Sequence, residues 1–305
     1  MADDLISAQV KTSIANDIAQ RRSQHQATIS RLRAAEAHAR TFREAIPLKT
    51  PLVMLALGDS WFDYPLDGNS LTIGTTDIIA QLQTLGGIPP VIYNISHYGD
   101  ATTAELALPK QERTIEALQD PDNWLGSGKP DAILFSGGGD DIAGNQFCIF
   151  LNYAAPGVDG LNASRFEKAL GMVEASYLDL FVLRDRYAAG VPIIGHAYDF
   201  PVPNGAHPAC AGPWLLPSLQ YCNWSVQEGT AIVKEALIAF YAMLNRLAAD
   251  PANNFVVVPT QGLLKPSDWA NELHPFPAGF RTIANAFLKV IAVKFPNRVG
   301  AVGTS

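Results

Sequence analysis

The sequence predicts a three-layer α/β/α sandwich, doubly wound and flavodoxin-like, with a parallel five-stranded sheet and an N-terminal helical extension. From Pro51 onwards, five short apolar segments recur along the chain, and amphipathic segments of helical length separate them. Several apolar segments are continuous rather than alternating, which is typical of parallel strands buried on both faces. Strands that alternate with helices in this way favour a parallel sheet covered by helices.

Each element follows from its own stretch of sequence. The predicted strands are residues 52–57, 91–95, 131–136, 191–196 and 255–259. The predicted helices lie at about 71–85, 102–119, 164–188, 226–249 and 278–294. Two connections, residues 142–163 and 197–225, are longer than this fold requires, and such loops in a compact domain are usually functional. Residues 48–305 are therefore predicted to form one domain with two loop insertions.

Residues 1–47 are predicted to form a helical extension ahead of that domain. The stretch is rich in Ala, Gln, Arg and Glu, has no glycine, and reaches its first proline only at Pro47. Its apolar stripe is narrow and comprises Ile14, Ile18, His25, Ile29 and Leu32. A stripe of this width favours docking on the domain, with a homodimer contact through the helix as the alternative.

Composition excludes several classes of partner. Hydrophobic residues make up 48% of the chain and charged residues 17%, the balance of a globular protein with a sizeable core. The net charge is -7 and no run of Lys or Arg occurs, so nucleic acid is not expected as a partner. No secretory signal or membrane span is evident, and we expect a soluble, cytoplasmic protein.

Cysteines and histidines do not indicate a metal site. Cys148, Cys210 and Cys222 match no zinc framework, and His196 with Asp199 makes only an unspecific constellation. Reduced thiols are favoured, although a Cys210–Cys222 disulfide remains an alternative. Neither a metal nor a cofactor is expected.

Ser60 is the candidate nucleophile. It ends the segment Gly58-Asp59-Ser60, directly after the first predicted strand, and an isolated triplet of this kind is more often an ordinary helix-capping turn. Glycine-containing loops also follow the second and third strands, however. Because the carboxyl ends of parallel strands meet at one edge of a sheet, these loops predict a site where backbone N–H groups approach a substrate oxygen.

His274 is the candidate base, in a loop just before the last predicted helix. Trp269 and the Pro275–Pro277 run would fix this loop. The side chains of Asp268, Asn271 and Glu272 are near enough in sequence to orient the imidazole.

Four segments, in order, resemble the conserved blocks of the SGNH/GDSL hydrolase family, and the resemblance spans residues 51–292. Gly58 to Ser60 looks like the nucleophile block. Residues 94–102, with Gly99, look like the second block, residues 138–141 like the third, and residues 271–275, followed by Gly279, like the last.

The resemblance implies a serine hydrolase that cleaves carboxylic esters through an acyl-serine intermediate. Ser60 would attack, His274 would act as the base, and the N–H groups of Ser60 and Gly99, with Asp140, would form the oxyanion hole. The partner would be a small-molecule ester. Acyl transfer or deacetylation on a sugar or alcohol, and a catalytically weak binding protein, are the alternatives.

Two residues depart from the family pattern. The third block normally has Asn where this chain has Asp140, and the last normally has Asp where this chain has Asn271. An ionised Asp140 would repel an oxyanion, whereas a protonated one would donate a hydrogen bond to it. Asn271 can accept the imidazole N–H but stabilises an imidazolium less than a carboxylate does, so Asp268 is a second candidate for that charge.

Apolar residues of the two long loops are predicted to form a wall that accepts an acyl or aryl group, with a satellite core as the alternative. They are Phe147, Phe150, Leu151, Tyr153, Phe200, Trp214, Leu215, Leu216 and Tyr221.

Overall fold

The computed structural model describes residues 2–41, 50–65, 76–98, 107–207 and 212–300. Its centre is a parallel sheet of five strands with the order β2-β1-β3-β4-β5. The strands are β1 (Val53–Gly58), β2 (Val91–Asn94), β3 (Ala132–Ser136), β4 (Ile193–His196) and β5 (Phe255–Val258). This is the flavodoxin-like strand order, and the predicted sheet is confirmed.

Helices cover both faces of the sheet. They are α1 (Ala2–Thr41), α2 (Ile78–Leu82), α3 (Leu108–Gln119), α4 (Gly139–Ile142), α5 (Ala163–Tyr187), α6 (Leu216–Tyr221), α7 (Val226–Ala249) and α8 (Pro277–Lys294). Helix α2 packs against α8 on one face, while α5 packs against α3 and α7 on the other. The predicted three-layer sandwich is therefore confirmed.

The helices differ from the prediction in where some begin and in the presence of the short helices α4 and α6. The helix expected at about 71–85 begins at Ile78, because Asp77 is its N-cap and accepts a hydrogen bond from the Ala80 N–H at 2.6 Å. Residues 71–75 and 102–106 lie outside the described residues. Helix α6 was not expected, since it lies within the long loop 197–225 and begins with Leu-Pro.

The central strands are buried because they carry continuous apolar side chains. Every residue of β1, β3 and β4 is buried. Strand β1 ends at Gly58, whose φ is +143°. A Cβ atom added at this residue would lie only 2.2 Å from the Ser136 carbonyl oxygen. A side chain has no room there, so glycine lets β1 turn sharply beside β3 and present the residues that follow at the carboxyl edge of the sheet.

Helix α1 docks along the edge strand β2 and the turn at residues 121–123. Ile18 and Ile29 are buried, and the His25 ring stacks on Tyr93 while its Nε2 lies 2.8 Å from the carbonyl oxygen of Asn123. This packing supports docking of the helix on the rest of the chain. A dimer contact and the division at residue 47 remain predictions.

Two further expectations concern the cysteines and the membrane. Cys222 is a buried free thiol, and Cys210 lies outside the described residues. In the part of the chain that the structure describes, no helix is both long enough and apolar enough to cross a bilayer.

Candidate active site

The turn after β1 presents Ser60. Within it, the N–H groups of Phe62 and Asp63 donate to the Asp59 carbonyl oxygen at 3.0 and 3.2 Å, which closes a single helical turn around the serine. Ser60 is 8% exposed and lines a pocket together with Asp140 and His274. The sequence after β1 therefore places a hydroxyl at the edge of the sheet where ligands of this fold class bind.

The Asp59 side chain points into the protein and holds the turn in place. Its carboxylate accepts hydrogen bonds from the Trp61 N–H at 3.0 Å, the Ser136 hydroxyl at 2.6 Å and the Tyr198 hydroxyl at 2.5 Å. Burial raises the pKa of Asp59, and these three donors oppose the rise. Tyr198 also accepts the Gly139 N–H at 2.9 Å, so one phenol links the loops after β1 and β3.

His196 belongs to the same network. Its Nδ1 accepts the Tyr198 N–H at 3.2 Å, and its Nε2 lies 2.8 Å from the Ser136 oxygen, so Nε2 carries the proton. The Asp199 carboxylate accepts backbone N–H groups of Phe200, Gly262 and Leu264. Both members of the weak metal constellation are thus occupied by hydrogen bonds within the protein.

Ser60 and His274 meet although they are 214 positions apart in the sequence. The Ser60 Oγ lies 2.7 Å from the His274 Nε2, and the His274 Nδ1 lies 3.1 Å from the Asn271 Oδ1. Because a carbonyl oxygen only accepts, Nδ1 carries the proton and Nε2 accepts the serine hydroxyl. Burial lowers the pKa of His274 to about 3, so the resting imidazole is neutral.

Asn271 is held in one orientation. Its Oδ1 also accepts the N–H groups of Leu273 and His274 at 3.0 and 2.8 Å, and its Nδ2 donates to the Tyr64 hydroxyl at 3.1 Å. These contacts decide which end of the amide faces the imidazole. Asp268 has a different place, since its carboxylate accepts the Lys265 N–H at 2.8 Å and caps the turn Pro266–Asp268. The side chain that contacts the imidazole Nδ1 is that of Asn271.

Asp140 lies in the first turn of α4 and lines the same pocket as Ser60. Its Oδ2 is buried and has no hydrogen-bond partner within the described part of the chain. Burial, reinforced by the charges of Asp59 and Asp141 and opposed by Lys110, raises the pKa of Asp140 to about 8. The carboxyl is therefore mainly protonated at neutral pH. Gly99, the remaining predicted donor, lies outside the described residues.

Comparison with known proteins was informative only at the level of structure. No protein-family model matches the chain, and no curated protein matches its sequence. An extracellular lipase from Streptomyces rimosus is 17% identical over 79% of this chain and 99% of its own, with a TM-score of 0.50. A lipase from a goat rumen metagenome is 16% identical over 78% of this chain and 96% of its own, also with a TM-score of 0.50.

The chain has the SGNH/GDSL hydrolase fold. The fold implied by the resemblance of the four sequence blocks is thereby confirmed. Similarity at this level of identity extends to the arrangement of strands and helices, and the function of this chain is argued from its own site.

An apolar wall does line the site of this SGNH/GDSL fold, but its composition differs from the prediction. Of the nine expected residues, Phe147 and Leu215 line the pocket, and the Trp214 ring lies 5.7 Å from the His274 ring. Tyr153 and Tyr221 are 56% and 66% exposed and contact each other. Phe150 and Leu151 are buried in the core. The unexpected members of the wall include Ile142, Ala143, Val233, Ala236 and Leu237.

The sequence predicts Glu272 only as a residue that could orient His274, yet its side chain joins the two loops that form the site. It is fully buried, and its carboxylate accepts N–H groups of Gly205, Trp214, Leu215 and Leu216 at 2.6–3.0 Å. The carboxylate thereby ties the loop 197–225, which contributes Leu215 to the wall, to the loop that carries His274. The sequence offered one signal for this role. Glu272 is acidic, lies close to His274 and has no Lys or Arg nearby in sequence to pair with.

We expect Glu272→Gln to lower the free energy of unfolding by about 3 kcal/mol, because the amide nitrogen would face backbone N–H groups that it cannot accept. Urea unfolding measures this. Glu235→Gln, at an exposed position of α7, is the control and should change stability by less than about 0.5 kcal/mol. Equal stability of the two variants would contradict the anchoring role of Glu272.

Proposed function

We propose that this protein is a serine hydrolase that cleaves carboxylic esters through an acyl-serine intermediate. The observation that supports the proposal is the 2.7 Å contact between the Ser60 Oγ and the Nε2 of a buried, neutral His274. A hydroxyl beside an oriented imidazole acceptor is the arrangement that activates a serine nucleophile. The substrate would be a small-molecule ester, and no step requires a cofactor.

The reaction has two halves. In the first, the Ser60 Oγ attacks the ester carbonyl carbon as its proton passes to the His274 Nε2. His274 then gives that proton to the leaving alkoxide, and an alcohol departs from the acyl-serine. In the second, His274 takes a proton from water, the hydroxide attacks the acyl carbon, and the carboxylic acid leaves as Ser60 regains its proton.

The developing oxyanion would be held by three donors. They are the Ser60 N–H, the protonated carboxyl of Asp140 and, by resemblance to the family, the N–H of Gly99. The unpartnered Oδ2 of Asp140 is a free hydrogen-bonding atom in the same pocket, which supports its part in this role. The apolar wall around Phe147, Leu215 and Leu237 would receive the acyl or aryl group.

Ser60 and His274 are tested directly with a fluorophosphonate probe and with nitrophenyl esters of increasing acyl length. We expect the wild-type protein to be labelled and to release nitrophenol, and Ser60→Ala to do neither. His274→Ala should lose on the order of 10⁴-fold or more in kcat, because His274 is the one base among the described residues that contacts the hydroxyl. Wild-type labelling and turnover no greater than those of Ser60→Ala would refute the esterase proposal. Transfer of the acyl group to an added alcohol or sugar, in preference to water, would favour the acyltransferase.

Asp140 gives the proposed reaction a characteristic pH dependence. Below its pKa of about 8 the carboxyl donates to the oxyanion, and above it the carboxylate repels the same charge. Wild-type kcat/KM should therefore fall as pH rises through about 8. Asp140→Asn, which always donates, should lack this fall, whereas Asp140→Ala should lose on the order of 100-fold at neutral pH. A fall of the same size in Asp140→Asn would assign the titration to another group.

Asn271 predicts a dependence on the leaving group. An amide stabilises the imidazolium less than a carboxylate, so the wild-type site should favour esters whose leaving group needs little protonation. Asn271→Asp should raise kcat/KM for an ethyl ester at least about 10-fold more than for the nitrophenyl ester of the same acid. Both rates are measured on one acyl group, so acyl binding cancels. An equal effect on the two esters would show that the orienting group does not limit proton transfer.

A further inference from the structure

We infer that Arg21, on the N-terminal helix α1, is a positioning residue for the candidate active site, because it ties the nucleophile turn to the segment that follows β2. The inference rests on the proposed function, since it concerns the same site. It assigns the N-terminal extension a part in the reaction beyond docking on the sheet.

One guanidinium joins three segments of the chain. The Arg21 Nη2 donates to the Asp63 Oδ1 at 2.7 Å, and its Nη1 donates to the Ser96 carbonyl oxygen at 3.3 Å. The same Nη2 lies 2.5 Å from the Asp17 Oδ2 one turn earlier on α1. The Arg21 side chain is 25% exposed and that of Asp63 only 15%, so this ion pair is much less screened by solvent than one at the surface.

On one side, Arg21 reaches the catalytic pair through the nucleophile turn. Asp63 lies three residues after Ser60, and its N–H donates to the Asp59 carbonyl oxygen. The next residue, Tyr64, accepts the Asn271 amide, and its ring centroid lies 4.5 Å from that of His274. A shift at Asp63 would therefore move both the serine turn and the contacts that orient the imidazole.

On the other side, Arg21 holds the segment after β2, which leads to Gly99. The Ser96 N–H donates to the Asn94 Oδ1 at 3.0 Å, and the Asn94 Nδ2 donates to the Phe62 carbonyl oxygen at 2.7 Å. The His97 N–H donates to the Gly58 carbonyl oxygen at 3.0 Å. This segment is thus bound to the nucleophile turn by the backbone, by Asn94 and by Arg21.

Charge makes the contact difficult to replace. Burial raises the pKa of Asp63, while Arg21 and His97 oppose the rise and Asp17 adds to it. Asp77 is a further carboxylate close enough for its charge to interact with that of Asp63. Without the guanidinium, Asp63 would be a largely buried carboxylate with the carboxylates of Asp17 and Asp77 nearby, and His97 would be the remaining possible cation that the described residues place close to it. Moving the turn towards water is the direct relief of that repulsion.

Other arginines of α1 provide a matched control. Arg22 contacts Glu116 and Asp120, which lie in the last turn and at the C-cap of α3, at 2.5 and 2.6 Å. Arg22 therefore helps to dock the helix without touching the site. A role in docking alone would make Arg21 and Arg22 equivalent, whereas a positioning role would separate them.

The experiment compares Arg21→Ala with Arg22→Ala in the full chain, by Tm and by kcat and KM for a short nitrophenyl ester. We expect both variants to lower Tm by similar amounts. Only Arg21→Ala should lower kcat, by on the order of 10-fold, with KM little changed, because Arg21 does not line the pocket that contains the acyl wall. Adding Asp63→Asn to Arg21→Ala should restore part of that loss, since it removes the unpaired charge.

Equal kcat values for Arg21→Ala and Arg22→Ala, or no rescue by Asp63→Asn, would overturn the inference. A wild-type protein that neither turns over esters nor labels would instead overturn the proposed function. Hydrogen exchange then tests, independently of activity, whether Arg21 holds the nucleophile turn and the segment after β2 in place. The amides of residues 61–64 and 95–98 should exchange faster in Arg21→Ala than in Arg22→Ala, and equal exchange would refute it.

Discussion

A single buried carboxylate, that of Asp59, joins the three central strands at the edge of the sheet that carries the candidate site. It follows β1, accepts the hydroxyl of the last residue of β3, and accepts the phenol of Tyr198, which lies just beyond β4. Taking a carboxylate out of water costs several kcal/mol, and here three hydrogen-bond donors offset that cost. Ser60 on one side of Asp59, and Gly139 with Asp140 on the other, are therefore positioned by one shared group.

Much of this arrangement could be predicted from the sequence, because it depends on local patterns and on sheet topology. Continuous apolar runs identified the strands, and the rule that carboxyl ends of parallel strands meet brought Ser60 and Asp140 to one edge. The contact of Ser60 with His274 required the order of the four blocks, since the residues around His274 indicate a fixed imidazole but not which hydroxyl it contacts. A Ser–His pair at this edge was nonetheless expected and is present.

Local sequence patterns could not predict which residues form the wall of the pocket. Val233, Ala236 and Leu237 belong to the apolar face of α7, and a helix face reads the same in sequence whether it covers a sheet or a cavity. The aromatic residues Tyr153 and Tyr221 favoured a wall by composition, yet they face solvent and contact each other. Glu272 fixes the position of Gly205 and residues 214–216 by accepting their backbone N–H groups. These contacts join residues distant in sequence, so no local pattern predicts them.

Asp140 and Asn271 acquire a common explanation from burial. Asp59, with three donors, is the better place for a negative charge, and an ionised Asp140 beside it would have no partner for its Oδ2. Protonation of Asp140 removes that conflict and leaves a donor facing the pocket. With a neutral imidazole and a neutral amide at Asn271, the described residues that line the pocket then carry no unpaired charge before a substrate enters. In the proposed reaction, the imidazolium and the oxyanion would arise together as a pair, so their mutual attraction would replace the fixed carboxylate that the family normally supplies. That attraction is strong only where water is excluded. Because Glu272 anchors the loop that contributes Leu215 to the apolar wall, it would help to keep water out and so strengthen the attraction.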